Sequence, residues 1–159
     1  MTVSKIATPS LERRWKLEAP KGNLWEIRLP ILVSEQEMKG FLTFMRDFFQ
    51  TRSGDASKLY NLKRAELGTI ALSGGAQEPS LNLSIDLLPP EVGISQDMVI
   101  AGVWDTQRTS YMVHILIERR SGTPTDWVRR NTPLIGTLRK HFLLWKTMSP
   151  EEKEVYLAK

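Results

Sequence analysis

A strict alternation of apolar and polar residues occupies positions 81–87 of the chain. The apolar positions in this stretch are Leu81, Leu83, Ile85 and Leu87, and the polar ones are Asn82, Ser84 and Asp86. Because successive side chains of a β-strand point to opposite faces, the pattern predicts a strand with one face in a core and the other toward solvent. A chain with such a strand must build a sheet around it and cover one face of that sheet.

Four further segments extend the predicted sheet. Residues 25–31 alternate in the same way, and Pro30 predicts that this strand lies at an edge or that its pairing stops there, since proline has no N–H to donate. Residues 62–72 alternate in short pieces, and Gly68 predicts a bulge or a bend. Residues 98–104 are continuously apolar, which is typical of a central strand covered on both faces. Residues 111–117 alternate again, and the short connection between these two segments predicts a hairpin.

Helix signals lie on both sides of the strands. Ser34 and Glu37 have the spacing of a capping box and predict a helix to about Thr51, with a stripe of Met and Phe side chains packed on the sheet. Near the end, Thr132 and Pro133 predict the start of a second helix, after a short turn around Trp127. Residues 149–152, with the sequence SPEE, repeat the capping signal and predict a short last helix.

This order of elements predicts an α+β fold. The sheet is mainly antiparallel with about five strands, the order is β-α-β-β-β-β-α-α, and the helices pack on one face. Residues 24–159 form a single domain with a C-terminal helical segment in this interpretation. Residues 1–23 hold five basic and two acidic residues and show no regular period, so we expect a flexible basic arm from which only Trp15 and Leu17 dock.

Composition excludes several classes of protein. The chain has no cysteine, which removes disulfide frameworks, thiolate zinc sites and cysteine nucleophiles. Its longest apolar runs are of strand length, far short of the roughly 20 residues that a transmembrane helix needs. No secretory signal is readable at the N-terminus, so a cytoplasmic location is expected.

Residues for catalysis are few. His114 alternates with apolar residues in the last strand and can share a sheet face with Ser84, Asp86 or Asp105, which are ingredients of acid-base or nucleophilic chemistry. An ordinary strand histidine is the simpler explanation of His114 and the one we expect, and His141 is expected to face solvent.

Metal and phosphate sites are equally unsupported. No pair of histidines has metal-ligand spacing, and four acidic residues of the middle region are too scattered for a calcium loop, namely Asp86, Glu91, Asp97 and Asp105. The glycine pair at 74–75 is followed by no lysine and predicts a turn instead of a phosphate loop. We expect no enzymatic activity, no cofactor and no metal.

The remaining signal is charge. Residues 119–146 hold seven basic residues against Asp126 alone, whereas residues 24–118 hold eight basic and twelve acidic residues. The candidate binding residues are Arg119, Arg120, Trp127, Arg129, Arg130, Arg139 and Lys140. If the end of the last strand meets the start of the helix, the four arginines nearest that junction form a surface for phosphates or carboxylates. Trp127 is then either a stacking platform or a core residue.

These features favour a non-enzymatic binding or assembly module that docks to a protein partner or to copies of itself. The basic C-terminal region and the N-terminal arm are the expected contact surfaces. Two alternatives use the same charges. One is nucleic-acid binding, and the other is attachment to an anionic membrane by basic residues beside Leu143, Leu144 and Trp145.

Overall fold

A computed structural model describes residues 16–17, 20–71 and 77–158. The strands are β1 (Lys16–Leu17), β2 (Leu24–Val33), β3 (Tyr60–Ala71), β4 (Gln77–Leu87), β5 (Ser95–Asp105) and β6 (Ser110–Ser121). The helices are α1 (Glu35–Thr51), α2 (Pro124–Thr147) and α3 (Pro150–Leu157).

All the strands form one antiparallel sheet in the order β1-β2-β6-β5-β4-β3. The predicted α+β class and the predicted order of five long strands and helices are confirmed. The two-residue strand β1 lies inside the predicted arm, where Lys16 and Leu17 pair with Arg28 and Ile27 of β2. Residues 1–15 and 18–19 of that arm lie outside the described residues.

The alternating segment behaves as its pattern predicts. Leu81, Leu83, Ile85 and Leu87 are buried, and Asp86 lies outside the core. In β2 the regular pairing with β6 is interrupted between Arg28 and Leu32, around Pro30, as expected for a residue that cannot donate.

The irregularity predicted at Gly68 is found elsewhere. Strand β3 runs through Gly68, which pairs with Ser80, and its register shifts between Leu62 and Arg64. A Cβ atom at Gly68 would lie 3.2 Å from the side-chain nitrogen of Asn82. The glycine therefore accommodates a close neighbour across the strand pair without breaking it.

Helix α1 begins where the sequence predicts. The side chain of Ser34 accepts a hydrogen bond from the backbone N–H of Glu37, and the chain leaves the helix at Arg52 in a left-handed conformation. The Met and Phe stripe of α1 is buried against the sheet, and it includes Met38, Phe41, Met45 and Phe49.

Helix α2 begins earlier than predicted. Thr123 accepts from the backbone N–H of Asp126, Pro124 occupies the first turn, and Pro133 lies inside the helix. Thr123 and Pro124 lie nine residues upstream of Thr132 and Pro133, and they carry the same signal for the start of a helix. Pro133 and Arg129 are both exposed, so water can bind the Arg129 carbonyl that lacks its helical donor, which lowers the cost of an internal proline.

The three helices share one side of the sheet, called the helical face below. Helix α1 contacts β3 and β4, while α2 reaches β2 through Trp25 and β5 through Gln96. Helix α3 has the predicted capping box at Ser149 and Glu152, and it packs on α1, where Leu157 meets Gly40. Among the described residues, no helix is both long enough and apolar enough to cross a membrane.

Candidate functional site

Arg119 and Arg120 lie next to each other at the end of β6 and point to opposite faces of the sheet. The Arg119 guanidinium donates to the carbonyl of Gly122 at 2.7 Å and lies 5.7 Å from the ring of Trp127 on the helical face. Arg120 binds the carboxylates of Asp97 at 2.6 Å and Glu118 at 3.3 Å on the opposite face. Because the two side chains diverge, they do not form one cationic surface with the arginines of α2.

Trp127 is a core residue. Its side chain is fully buried, its ring packs edge-on against Trp25 with centroids 5.6 Å apart, and its Nε1 donates to Oε1 of Gln96 at 2.7 Å. The sequence raised both a stacking platform and a core residue, and this placement leaves no ring surface for a ligand.

The other four candidates belong to helix α2. Arg129 is two-thirds exposed, and its nearest carboxylate is that of Asp126 at 3.9 Å. Arg130 is half-buried, and Arg139 and Lys140 are exposed. Lys140 makes no ion pair with any of the described residues. The candidate binding surface therefore does not span the junction between β6 and α2, and it is restricted to residues of α2.

Two exposed leucines continue this helix surface. Leu143 is 50% exposed and Leu144 is 51% exposed, although the inner positions of α2 are almost completely buried. Residues four apart are neighbours on a helix, so Lys140 lies beside Leu144 and Arg139 beside Leu143. We call the solvent-facing residues Arg129, Pro133, Gly136, Lys140, Leu143 and Leu144 the outer surface of α2.

The sequence gives a weak indication that Leu143 and Leu144 lie outside the core. The buried positions Leu134, Leu138, Phe142 and Trp145 follow helical spacing, and Leu143 and Leu144 fall outside it. Trp145, which the membrane hypothesis placed beside them, is 1% exposed and packs on Phe41 and Phe44.

His114 makes no hydrogen bond with the polar residues that the sequence placed on its sheet face. His114 is fully buried, and neither of its ring nitrogens has a hydrogen-bond partner among the described residues. Burial together with the charge of Arg28 lowers its pKa to about 3. Ser84 donates to Asp97 at 2.8 Å, and Asp105 binds Arg108 at 2.9 Å, so both of these predicted neighbours are engaged elsewhere.

The expectation that His141 faces solvent is wrong. Its ring stacks on Phe44 with centroids 4.2 Å apart, and burial lowers its pKa to about 4 against the opposing charge of Asp47. The contact arises because α1 and α2 lie side by side, a neighbour relationship that helical spacing alone does not give.

A groove of about 260 Å³ lies between the first turns of α1 and strands β3, β4 and β6. Its wall combines apolar Met38 and Leu42 with Glu35, Lys39 and Tyr111. Burial and the charges of Glu78 and Glu35 raise the pKa of Tyr111, so its hydroxyl stays protonated near neutral pH. In the described part of the chain, no three His, Asp or Glu side chains are grouped to hold a metal ion.

The outer surface of α2 is thus the place where predicted binding residues and exposed apolar side chains coincide. Comparison with models of known protein families gives no match, and neither does comparison with curated proteins.

Proposed function

We propose that this chain is a non-enzymatic binding module that docks to an acidic surface of a partner protein through the outer surface of α2. The observation that carries the proposal is the position of Leu143 and Leu144, half exposed beside Lys140 on a helix whose inner side is fixed in the core.

The chemistry of this surface fits a protein interface. Apolar side chains such as Leu143 and Leu144, at one end of this surface, gain free energy when they leave water, at roughly 25 cal/mol per Å² of buried area. Cations on the same surface orient an acidic partner and speed its association. Arg129 and Lys140 supply cations that are weakly paired or unpaired within the described residues.

Nucleic-acid binding is less well supported by this geometry. Phosphate recognition needs several cations on one surface, and a stacking ring would strengthen it. Arg120 is held by two carboxylates on the other face of the sheet, and Trp127 is buried. Two leucines within the remaining cationic surface have no role against a phosphate backbone.

An anionic membrane is the second candidate, because the same leucines and cations suit it. Apolar residues enter the headgroup region, and each nearby Lys or Arg contributes about 1 kcal/mol. With Trp145 buried, the anchor consists of Leu143 and Leu144 only, which is a small apolar area for stable attachment.

Photo-crosslinking in the cells that make this protein tests the proposal. A photoreactive amino acid in place of Leu144 is expected to give a covalent product with one acidic protein. The same group in place of exposed Thr69 on β3 should give none. Lys140→Glu should abolish the product, whereas Lys58→Glu, with the same charge change at an exposed remote site, should preserve it.

Purified protein separates the alternatives. We expect no binding to vesicles of phosphatidylserine and phosphatidylcholine beyond that to phosphatidylcholine alone, and no binding to duplex DNA at low salt. Binding to anionic vesicles that Lys140→Glu removes would replace the proposal with membrane attachment. DNA binding that weakens steeply with salt would replace it with nucleic-acid recognition. Crosslinks between two copies of this chain would make self-association the function of the surface.

A further inference from the structure

The groove between α1 and strands β3, β4 and β6 lies where β4 and β5 stop pairing. The pairing of these two strands ends at Ser80 and Ala101. The next residue, Pro79, has no N–H to donate and is paired with Thr69 of β3 instead. A space of about 260 Å³ remains at this point beside the first turns of α1.

The floor of the groove is apolar. Met38 and Leu42 of α1 are 2% and 3% exposed, and half-buried Leu67 of β3 lies beside them. A Cβ atom at Gly102 would lie 2.9 Å from Sδ of Met38 and 3.0 Å from Cδ1 of Tyr111. Because Gly102 has no side chain, these two residues rest directly on strand β5. The groove therefore offers an apolar surface to part of a ligand.

Two opposite charges, those of Glu35 and Lys39, line the same groove one turn of α1 apart. Residues at this spacing are neighbours on a helix and commonly form an ion pair. Neither side chain makes an ion pair here with any residue in the described part of the chain. Both charges are therefore available to a ligand.

The end of the groove at Tyr111 is anionic. Glu78 of β4 is held nearby, because its carboxylate accepts a hydrogen bond of 3.2 Å from the backbone N–H of Trp104. Burial and the charges of Glu78 and Glu35 raise the pKa of the Tyr111 hydroxyl. The negative charges and the aromatic ring both favour a cation at this end.

We infer that this groove binds a small apolar α-amino acid in its zwitterionic form. The ammonium group lies beside Glu35 and the ring of Tyr111, the carboxylate binds Nζ of Lys39, and the side chain covers the apolar floor. Such a ligand carries both charges on one carbon atom, so it pairs with both residues of α1 at once. Sites for drug-sized ligands measure about 300–1,000 Å³, so the smaller groove suits a molecule of this size.

Ligands with a single charge fit the groove less well. An organic anion would pair with Lys39 but would meet the carboxylates of Glu35 and Glu78. An organic cation would pair with Glu35 and leave Lys39 without a partner.

NMR titration of isotope-labelled protein with L-leucine and L-phenylalanine tests the inference. The amide signals of Met38, Ser80 and Tyr111 are expected to shift and reach a plateau with at least one probe. The signal of Glu91, beyond the opposite end of β4, should not move. No saturating shift with either probe up to about 10 mM would overturn the inference, because a site with a Kd of about 1 mM would then be nearly full.

Two analogues of the probe that binds separate the roles of its charges. The N-acetylated form lacks the ammonium group, and the amide form lacks the carboxylate. Each should bind at least about tenfold more weakly, since it leaves one charge of α1 without its hydrogen bond. Equal affinity of either analogue would contradict the zwitterionic ligand.

Variants at exposed positions give a second readout. Glu35→Gln and Lys39→Gln should each weaken binding of the probe at least about tenfold. Lys58→Gln and Glu91→Gln make the same exchanges at exposed sites near the opposite ends of β3 and β4, and they should preserve its affinity. Unchanged affinity in Glu35→Gln or Lys39→Gln, or an equal loss in the control variants, would overturn the inference.

Discussion

The indole of Trp127 on α2 donates to the side-chain oxygen of Gln96 on β5 in the middle of the core. The amides of Gln96 and Asn131 also exchange two hydrogen bonds of 2.8 Å. All three residues are at most 1% exposed. Since buried polar groups are costly when unpaired, this network holds α2 at one rotation about its axis. That rotation turns Lys140, Leu143 and Leu144 toward solvent.

Gln96→Met is expected to reduce the free energy of unfolding by about 2–4 kcal/mol, because it leaves the indole N–H of Trp127 and the side-chain oxygen of Asn131 buried without partners. Urea unfolding measures the loss. Gln107→Met, at an exposed position in the turn between β5 and β6, should change stability by less than about 0.5 kcal/mol. Equal effects in the two variants would mean that the network contributes no stability.

Phe142→Ala should cost about 3–5 kcal/mol, because Phe142 is fully buried and packs on Phe41 with ring centroids 5.7 Å apart. The adjacent Leu143 is half exposed, so Leu143→Ala should cost less than about 1 kcal/mol. Thermal unfolding of both variants checks the pair. A large loss for Leu143→Ala would show that this leucine belongs to the core and would remove it from the outer surface.

Gly122→Ala should be strongly destabilising, since Gly122 has a φ of 97° and a Cβ atom there would lie 2.6 Å from Cγ1 of Ile94. Gly136 lies in α2 with open space at its Cβ position. Gly136→Ala should therefore stabilise the protein by about 0.5–1 kcal/mol through helix propensity. Opposite signs of the two changes in melting temperature are the expected result, and a stabilised Gly122→Ala variant would contradict the geometry.

Local signals of the sequence determine much of this fold. The alternation at 81–87 and the cap at Ser34 depend on neighbouring residues only, and both are found as expected. The start of α2 shows the limit of such signals. Thr123-Pro124 and Thr132-Pro133 are equivalent locally, and burial of Trp127 and Asn131 between them selects the longer helix.

The candidate site depended on information that local patterns lack. The register of β5 and β6 determines which of the two arginines, Arg119 or Arg120, faces α2. This register shifts between Ser95 and Gln96. A one-residue shift exchanges the two faces of a strand, so charge counting alone could not separate these arginines. The exposed pair of leucines depends likewise on the rotation of α2 that Gln96 fixes.

Two buried histidines are expected to make the fold sensitive to acid. Burial lowers the pKa of His114 from 6.5 to about 3, with Arg28 adding to the effect, and lowers the pKa of His141 to about 4. Each group binds fewer protons in the folded state than in the unfolded state. Their contribution to stability is therefore complete above the unfolded pKa of 6.5 and is lost as the pH falls toward the folded values.

Urea unfolding at about pH 7 and about pH 5 tests this dependence, in a range where the carboxylates of Asp97 and Asp105, whose pKa values are lowered from 3.8, stay ionised. Wild type should lose stability between these values, because both imidazoles must be protonated on unfolding. His141→Phe keeps an aromatic ring beside Phe44 and should lose less, and His114→Leu should also lose less. Combining the two substitutions should further reduce the change in the free energy of unfolding between the two pH values. Equal losses in wild type and the double variant would show that neither histidine is protonated differently in the folded and unfolded states.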